Sequence, residues 1–344
     1  MRNKSDKVRR TIKANITGEK DNIRLFGALF RLVRWKNLLI IILTQVLLQY
    51  FLIIPFAEIA GASFISMSGL NFAILIISTI LITAAGYIIN DHFDVEIDII
   101  NKPERVIIGR FISKKQGLYL YWILNIIGVA AGFHVAHRVS ALSLGFIFPV
   151  TAGLLWMYSL QYKRMVLIGN LVVSLLSAMP VLLVWLFNFF LTKAQNPEFL
   201  VSAKSINTII NVSVWFYAIF AFVVTLIREI IKDIEDIDGD SAAGCQTLPL
   251  TLGIKVTKNI IFILIVFSIT VLAFAQYLML THDFRILFFY YLITVQGLFF
   301  YLLTLTLHSR TTKDFRFAGN IAKIVMVAGL LGIQLFKLEI IFLQ

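Results

Sequence analysis

The chain is 344 residues long, 59% of its residues are hydrophobic, only 15% are charged, and its mean hydropathy is +0.87. This composition excludes an ordinary soluble globular domain and predicts an all-α integral membrane protein. The formal charge is +12, but the Lys and Arg residues lie beside apolar runs rather than in a basic soluble domain, which argues against a nucleic-acid partner and favours anionic membrane lipids.

The first 36 residues form a basic segment that we predict to be a cytoplasmic tail. No short apolar stretch with a small-residue cleavage site begins it, so we expect no removable signal peptide. Between residues 24 and 34, arginines fall on one side of a predicted helix and apolar residues on the other, which is typical of an amphipathic helix at the membrane surface. The single cysteine, Cys245, leaves no disulfide framework and is expected to be an inert thiol.

Nine apolar runs follow, and each is long enough to cross a membrane as a helix. We therefore predict that residues 37–344 form one domain, a bundle of nine transmembrane helices. The predicted spans are residues 37–58, 71–89, 117–133, 140–160, 166–191, 207–227, 259–279, 284–307 and 319–343.

The orientation follows from the positions of the basic residues. With the N-terminus inside, most of the 31 Lys and Arg residues lie in cytoplasmic segments, and the opposite loops hold only Arg138, Lys193, Lys204 and Arg285. The positive-inside rule therefore predicts a multi-pass protein of the cytoplasmic membrane. The two longest polar interruptions, residues 90–116 and 228–258, then lie on the cytoplasmic side.

The first of these interruptions opens with "NDHFDVEID", residues 90–98. Asp91, Asp94 and Asp98 have the spacing i, i+3, i+7, which places them on one face of a helix. Glu96 points to the opposite side by the same arithmetic and is expected to be solvated.

The second interruption opens with "REIIKDIEDIDGD", residues 228–240, in which Asp233, Asp236 and Asp240 repeat the same spacing. Asp238 points away from them. Because glycine disfavours helix, any break in this segment is expected at Gly239, just before Asp240.

Three carboxylates on one face repel one another unless a cation lies among them, and two such faces make the cost larger. Mg²⁺ suits oxygen-rich clusters, takes one or two carboxylates, and completes its coordination with water and substrate phosphate. The pattern therefore predicts a Mg²⁺-bound diphosphate whose long apolar tail lies in the bundle. Nearby cations that fit this ligand are Lys102, Arg105, Lys163, Arg164, Arg228 and Lys232.

These motifs resemble those of the UbiA superfamily of membrane-embedded prenyltransferases. "NDHFDVEIDIINKPER" is similar to the first aspartate-rich motif of the superfamily and "KDIEDIDGD" to the second, although Val106 stands where many members have proline. "RWKN" and "YSLQYKRMVLIGN" match more weakly. The substrate-binding residues that the resemblance implies, beside the six aspartates as catalytic metal ligands, are Asn37, Asn90, Asn101, Lys102, Arg105, Tyr158, Lys163, Asn170, Arg228 and Lys232.

The resemblance implies Mg²⁺-dependent transfer of a prenyl group from a prenyl diphosphate donor to a lipophilic acceptor, with release of diphosphate. "REIIKDIEDIDGD" followed by "GCQTLP" is most similar to the branch that transfers a geranylgeranyl group to geranylgeranylglyceryl phosphate. Two alternatives remain open: an aromatic prenyltransferase of quinone biosynthesis, and a cation transporter whose path the carboxylates mark. No general base is assigned, because His92 falls on the wrong helix face and His134 and His137 lie on the external side.

Overall fold

The computed structural model describes residues 27–59, 66–101 and 106–343, and for residues 100, 101, 199, 201, 202 and 343 it describes the backbone alone. In these ranges, nine helices are long and apolar enough to cross a membrane, which confirms the predicted all-α membrane bundle. Their bounds are α1 Trp35–Ile59, α2 Gly69–Ile99, α3 Lys114–Arg138, α4 Leu142–Leu160, α5 Ile168–Gln195, α6 Lys204–Glu235, α7 Leu248–Thr281, α8 Arg285–His308 and α9 Thr312–Phe342.

The helices pack mainly against their neighbours in sequence. α2 lies against α3 and α4, α5 lies against α6, and α6 also contacts α7 and α9. α1 contacts α2 and α5 and meets α9, so the first and last helices are adjacent. The largest fully buried side chains include Phe148, Phe187, Tyr291 and Phe299, which join helices from different parts of the chain into one hydrophobic core.

Two helices extend beyond their apolar runs and carry acidic residues to one end of the bundle, here called the polar end. The helix of α2 continues to Asn101, well past the apolar run predicted to end at residue 89. α6 continues to Glu235 and is followed, after Asp236, by a short helix, Ile237–Ala242. Both predicted polar interruptions are therefore partly helical continuations of spans.

The segment before α1 differs from the prediction. Residues 27–32 are helical, but Ala28 and Leu32 are completely buried against residues of α2, α3 and the loop between them, such as Ile88 and Ile108. The apolar side of this segment therefore packs on the protein rather than on the membrane surface. The predicted tail from residue 1 to 26, including Arg24, lies outside the described residues.

Candidate active site

The polar end of the bundle contains a cavity of about 540 Å³. Its walls come from α1, α2, α4, α5, α6, α9 and the short helix Ile237–Ala242, together with the turns next to them. All six aspartates singled out in the sequence line it: Asp91, Asp94, Asp98, Asp233, Asp236 and Asp240. Glu96 and Asp238 are exposed and do not line the cavity, as the helical arithmetic predicted.

The first aspartate set lies on one continuous helix. Arg34 Nη2 donates a hydrogen bond to Asp91 Oδ1 at 2.9 Å, and Lys163 forms a short ion pair with Asp94. Asn90 Nδ2 also donates to Asp94 Oδ2 at 2.9 Å. Because the α2 backbone is regular here, cations from two other segments orient the carboxylates without distorting the helix.

The second aspartate set does not lie on one helix face, contrary to the prediction. α6 ends at Glu235, and Asp236 has non-helical angles (φ −97°, ψ 12°), so the helix is interrupted there rather than at Gly239. Gly239 itself is helical and buried. Asp240 nevertheless lines the cavity, because the short helix that carries it packs against α2.

The turn between α4 and α5 places Lys163 in the cavity. Gly169 permits this arrangement, since a Cβ at that position would lie 2.7 Å from Lys163 Cα and 2.8 Å from the Tyr162 carbonyl oxygen. The backbone N–H of Gln246 donates to the Arg164 carbonyl at 2.8 Å and fixes the turn from the other side. The Lys163 side chain is only 11% exposed.

Asn170, at the start of α5, is buried and donates through Nδ2 to Asp233 Oδ2 at 2.8 Å. Tyr158, near the end of α4, lines the same cavity. On α6, Glu229 forms a short ion pair with Arg228 and lies 4.0 Å from Lys232 Nζ. The polar residues predicted from the two weaker motifs and from α6 are therefore gathered around the aspartates.

The start of α1 connects the site to α9. Arg34 adopts the left-handed region (φ 51°, ψ 51°) just before the helix, which directs the chain so that its guanidinium lies over the Tyr87 ring, 4.8 Å from the centroid. Asn37, one turn later, donates to the Tyr87 hydroxyl at 3.3 Å and accepts from Lys323 Nζ at 2.7 Å.

Several residues at the cavity were not predicted. The charged ones had one signal, charge at the edge of an apolar run or, for Lys323, inside one, a position at which ionisable residues often mark a site, whereas the neutral Cys245 and Asn320 had none. The unpredicted residues are Arg31, Arg34, Glu229, Glu235, Cys245, Arg316, Asn320 and Lys323. Three predicted residues cannot be placed, since the side chain of Asn101 and the whole of Lys102 and Arg105 lie outside the described part of the structure.

Burial and like charge determine the protonation of the groups beyond the spans. Burial raises the pKa of Asp240 to about 6, and the neighbouring Asp236 adds to the shift. Burial lowers the pKa of the Lys163 ammonium, although the Asp94 carboxylate opposes this. Burial alone would lower the pKa of Arg34, but Asp91 raises it above its usual value. A further positive charge beside Asp240 would keep its carboxylate ionised at neutral pH.

The donor set suits a magnesium ion that also binds substrate phosphate. Among the described residues, no three acidic, histidine or cysteine side chains converge closely enough to enclose an ion by themselves. Mg²⁺ requires only one or two carboxylates when water and phosphate supply the other oxygens, and the six aspartates around one cavity provide these.

Comparison with known proteins agrees with this geometry. The model of the UbiA prenyltransferase family matches residues 34–326. Digeranylgeranylglyceryl phosphate synthase of Methanosphaera stadtmanae is 30% identical over 245 residues, which cover 71% of this chain and 80% of that enzyme. Alignments with three further synthases of the same name cover between 56% and 59% of those relatives.

Solved structures share the fold. A structure from work on digeranylgeranylglyceryl phosphate synthase in membranes has a TM-score of 0.59 at 23% identity and covers 91% of this chain and 99% of its own. A UbiA homologue from Archaeoglobus fulgidus, bound to DMAPP and Mg²⁺, has a TM-score of 0.50 at 14% identity and covers 89% of this chain and 98% of its own. At these identities the likeness concerns the fold.

Proposed function

This chain belongs to the UbiA prenyltransferase family, and we propose that it transfers a geranylgeranyl group from its diphosphate to the glycerol hydroxyl of geranylgeranylglyceryl phosphate. The observation that carries the proposal is that the aspartates of α2 and those after α6 line one cavity at the end of an apolar bundle. The names of the curated relatives support this acceptor. In the reaction, the allylic C–O bond to diphosphate breaks and the acceptor oxygen bonds to the same carbon. The proton of the acceptor hydroxyl is taken up by the released diphosphate.

Mg²⁺, when bound, would neutralise charge on the diphosphate and make it a better leaving group. The residues proposed to hold it are Asp91, Asp94, Asp98, Asp233, Asp236 and Asp240, used one or two per ion. The Mg²⁺-bound UbiA homologue supports the choice of ion.

The polar residues next to the aspartates are proposed to bind and orient the diphosphate. Lys163 and Lys232 supply positive charge beside the aspartates, and Tyr158 lines the same wall. Asn90, Asn170 and Arg34 orient individual carboxylates through the hydrogen bonds described above. Asn101, Lys102 and Arg105 remain predicted ligands. Beyond the polar walls, the apolar bundle would exclude water from the developing allylic cation.

We place the polar end and the N-terminus on the cytoplasmic side. The loops at the polar end carry most of the basic residues, whereas Arg138, Lys193, Lys204 and Arg285 lie at the other end. Cysteine labelling tests this: in whole cells, a maleimide that does not cross membranes should label a variant with cysteine at Lys193 but not one with cysteine at Lys313, both in a Cys245→Ala background. The reverse pattern would invert the proposed topology.

The reaction is tested with purified protein, Mg²⁺ and labelled geranylgeranyl diphosphate. We expect label to appear in an ether lipid when geranylgeranylglyceryl phosphate is added, and diphosphate to be released in equal amount. EDTA should stop both the labelling of the ether lipid and the release of diphosphate. A hydroxylated aromatic acid is offered in parallel, because transfer only to that acceptor would replace our proposal by the aromatic prenyltransferase. Cation flux in vesicles without any release of diphosphate would contradict the proposed transfer reaction and support a cation transporter instead.

A further inference from the structure

The cavity is charged differently on its two sides. Its aspartates lie on α2, on the last turn of α6, and in the turn and the short helix Ile237–Ala242 that follow α6. Three arginines line the wall where the segment before α1, the C-terminal part of α6 and the start of α9 come together: Arg31, Arg228 and Arg316. Lys323 lies two turns after Arg316 on the same face of α9 and bonds to Asn37. These four cations are called the basic corner below.

The basic corner has more positive charge than its own carboxylates balance. Arg228 pairs with Glu229, and Arg316 Nε donates to Glu235 Oε1 at 2.9 Å. Lys232 also lies near Glu229, at 4.0 Å, so these two glutamates serve three cations. Within the described residues, no carboxylate lies within 4.0 Å of Arg31 or Lys323. The aspartate side has the opposite imbalance, since six carboxylates line it, and Arg34 and Lys163 are paired with two of them, Asp91 and Asp94.

Because one side has excess positive charge and the other excess negative charge, the two sides should bind different ligands. An anion reaches the aspartate side only together with a metal ion, whereas the basic corner can bind an anion directly. We propose that the basic corner binds the phosphate monoester of the acceptor lipid, without a metal ion, while the donor diphosphate occupies the aspartate side. This inference rests on the proposed function, because it assigns the headgroup of that acceptor. A phosphate monoester has a charge of about −1.5 to −2 at pH 7, and arginine binds it through paired hydrogen bonds.

The helix α1 sets the two anion sites side by side. Arg34 bonds to Asp91 on the aspartate side, and Asn37, only three residues later, is bonded by Lys323 of the basic corner. The two residues are neighbours in space, since the backbone N–H of Asn37 donates to the Arg34 carbonyl at 2.8 Å. A phosphate in the basic corner would therefore hold its glycerol hydroxyl beside the diphosphate, as transfer between the two lipids requires.

The kinetic test replaces two cations that the proposal assigns to the acceptor alone, in the variants Arg316→Gln and Lys323→Met. Each should raise KM for geranylgeranylglyceryl phosphate about tenfold or more, as loss of one charge-assisted hydrogen bond implies, and leave KM for geranylgeranyl diphosphate within about twofold. Lys323→Arg should restore most of the affinity. The matched control is Lys313→Ala, which removes an exposed cation from the first turn of α9 outside the cavity. An equal rise in both KM values, or no rise, would overturn the proposal.

A binding test needs no turnover. In neutral detergent with EDTA, glycerol 1-phosphate should raise the Tm of the wild-type protein and of Lys313→Ala but not that of the double variant R316Q/K323M, provided that all three melt cooperatively. No stabilisation of the wild type would overturn the proposal. If the double variant melts without cooperativity, the two single variants are measured in its place. A rise in the Tm of either single variant with glycerol 1-phosphate that equals the rise in the wild type would count against the site.

Membrane phospholipid is the other source of phosphate at this position. The kinetic assays are therefore repeated with phosphatidylglycerol added to the micelles. If the basic corner binds the acceptor, the variants keep a higher KM for geranylgeranylglyceryl phosphate than the wild type. If this difference in KM disappears and only the phospholipid requirement changes, the basic corner is a lipid headgroup site. Should the wild type use only an aromatic acceptor, the proposed function fails, while stabilisation by glycerol 1-phosphate still decides whether the basic corner binds phosphate.

Discussion

The two aspartate sets have the same spacing in the sequence and different structures. Asp91, Asp94 and Asp98 lie on the uninterrupted helix of α2, whereas Asp233 and Asp240 lie on two helices separated by the turn at Asp236. The first set is oriented by Arg34 and Lys163, which come from segments distant in sequence. The second set is oriented by its own turn and by Asn170.

This difference shows that one spacing can serve two geometries. A straight helix presents its carboxylates in a fixed row, so cations from other segments orient the individual carboxyl groups. The turn at Asp236 separates the position of Asp240 from that of Asp233 and places the short helix against α2. The first set should therefore be sensitive to changes in the α4–α5 turn, and the second to changes in its own backbone.

The largest expected effect comes from removing one carboxylate from each set. Asp94→Asn and Asp236→Asn should each lower kcat/KM by about a hundredfold or more, the size seen when one electrostatic contact to a developing charge is removed. The measurement is release of diphosphate with saturating Mg²⁺. If one variant keeps full activity, the two sets do not act together on one diphosphate.

The controls for this pair are Glu96→Gln and Asp238→Asn. Both residues are exposed acids within the same motifs and point away from the cavity. Each should retain activity within about twofold, because exposed charges outside a site contribute little. All four proteins should elute from a sizing column in detergent like the wild type.

A smaller effect should follow from Gly169→Ala, which tests the dependence of the first set on the α4–α5 turn. The new Cβ would meet backbone atoms at 2.7 and 2.8 Å, so the turn that carries Lys163 must move. A misplacement of about 1 Å near a reacting centre can cost up to about a hundredfold, and we expect a tenfold to hundredfold loss of kcat.

The matched control for Gly169→Ala is Gly153→Ala. A Cβ at Gly153 would have no atom within 4 Å, and this residue lies on the neighbouring helix α4. Unchanged kcat in Gly153→Ala and a marked loss in Gly169→Ala would separate the effect of the turn from the general effect of adding a methyl group. Equal activity in both variants would show that the position of Lys163 is not critical.

Much of the fold could be predicted because hydropathy alone identifies spans. The nine helices appear in the predicted order, and their polar extensions contain the predicted aspartates. The i, i+3, i+7 rule was correct for the first set, since α2 is regular there. It was wrong for the second, because the helix ends at Asp236, a residue with no strong stop signal, rather than at Gly239.

The charged partners of the site could not be predicted from spacing. Lys323 bonds to Asn37 across 286 positions of sequence, and Arg34, whose own backbone is left-handed just before α1, bonds to Asp91. Such pairs depend on how distant helices pack, which a single sequence does not reveal. A lysine within an apolar run was nevertheless a usable signal, because a buried ammonium needs a polar partner.

The smallest expected effect tests the backbone of the second set. Gly244 ends the short helix that carries Asp240 and has φ +68°, while nothing lies within 4 Å of a Cβ built there. Gly244→Ala should therefore act through backbone strain alone, about 1 kcal/mol, seen as a slightly lower Tm and a rise of up to about fivefold in the Mg²⁺ concentration at half-maximal activity. Gly244→Asn should behave like the wild type, because asparagine adopts positive φ more readily. If the Gly244→Ala and Gly244→Asn variants have the same Tm and the same Mg²⁺ dependence, the turn at Gly244 does not position Asp240. The second set would then resemble the first in depending little on the backbone that follows it.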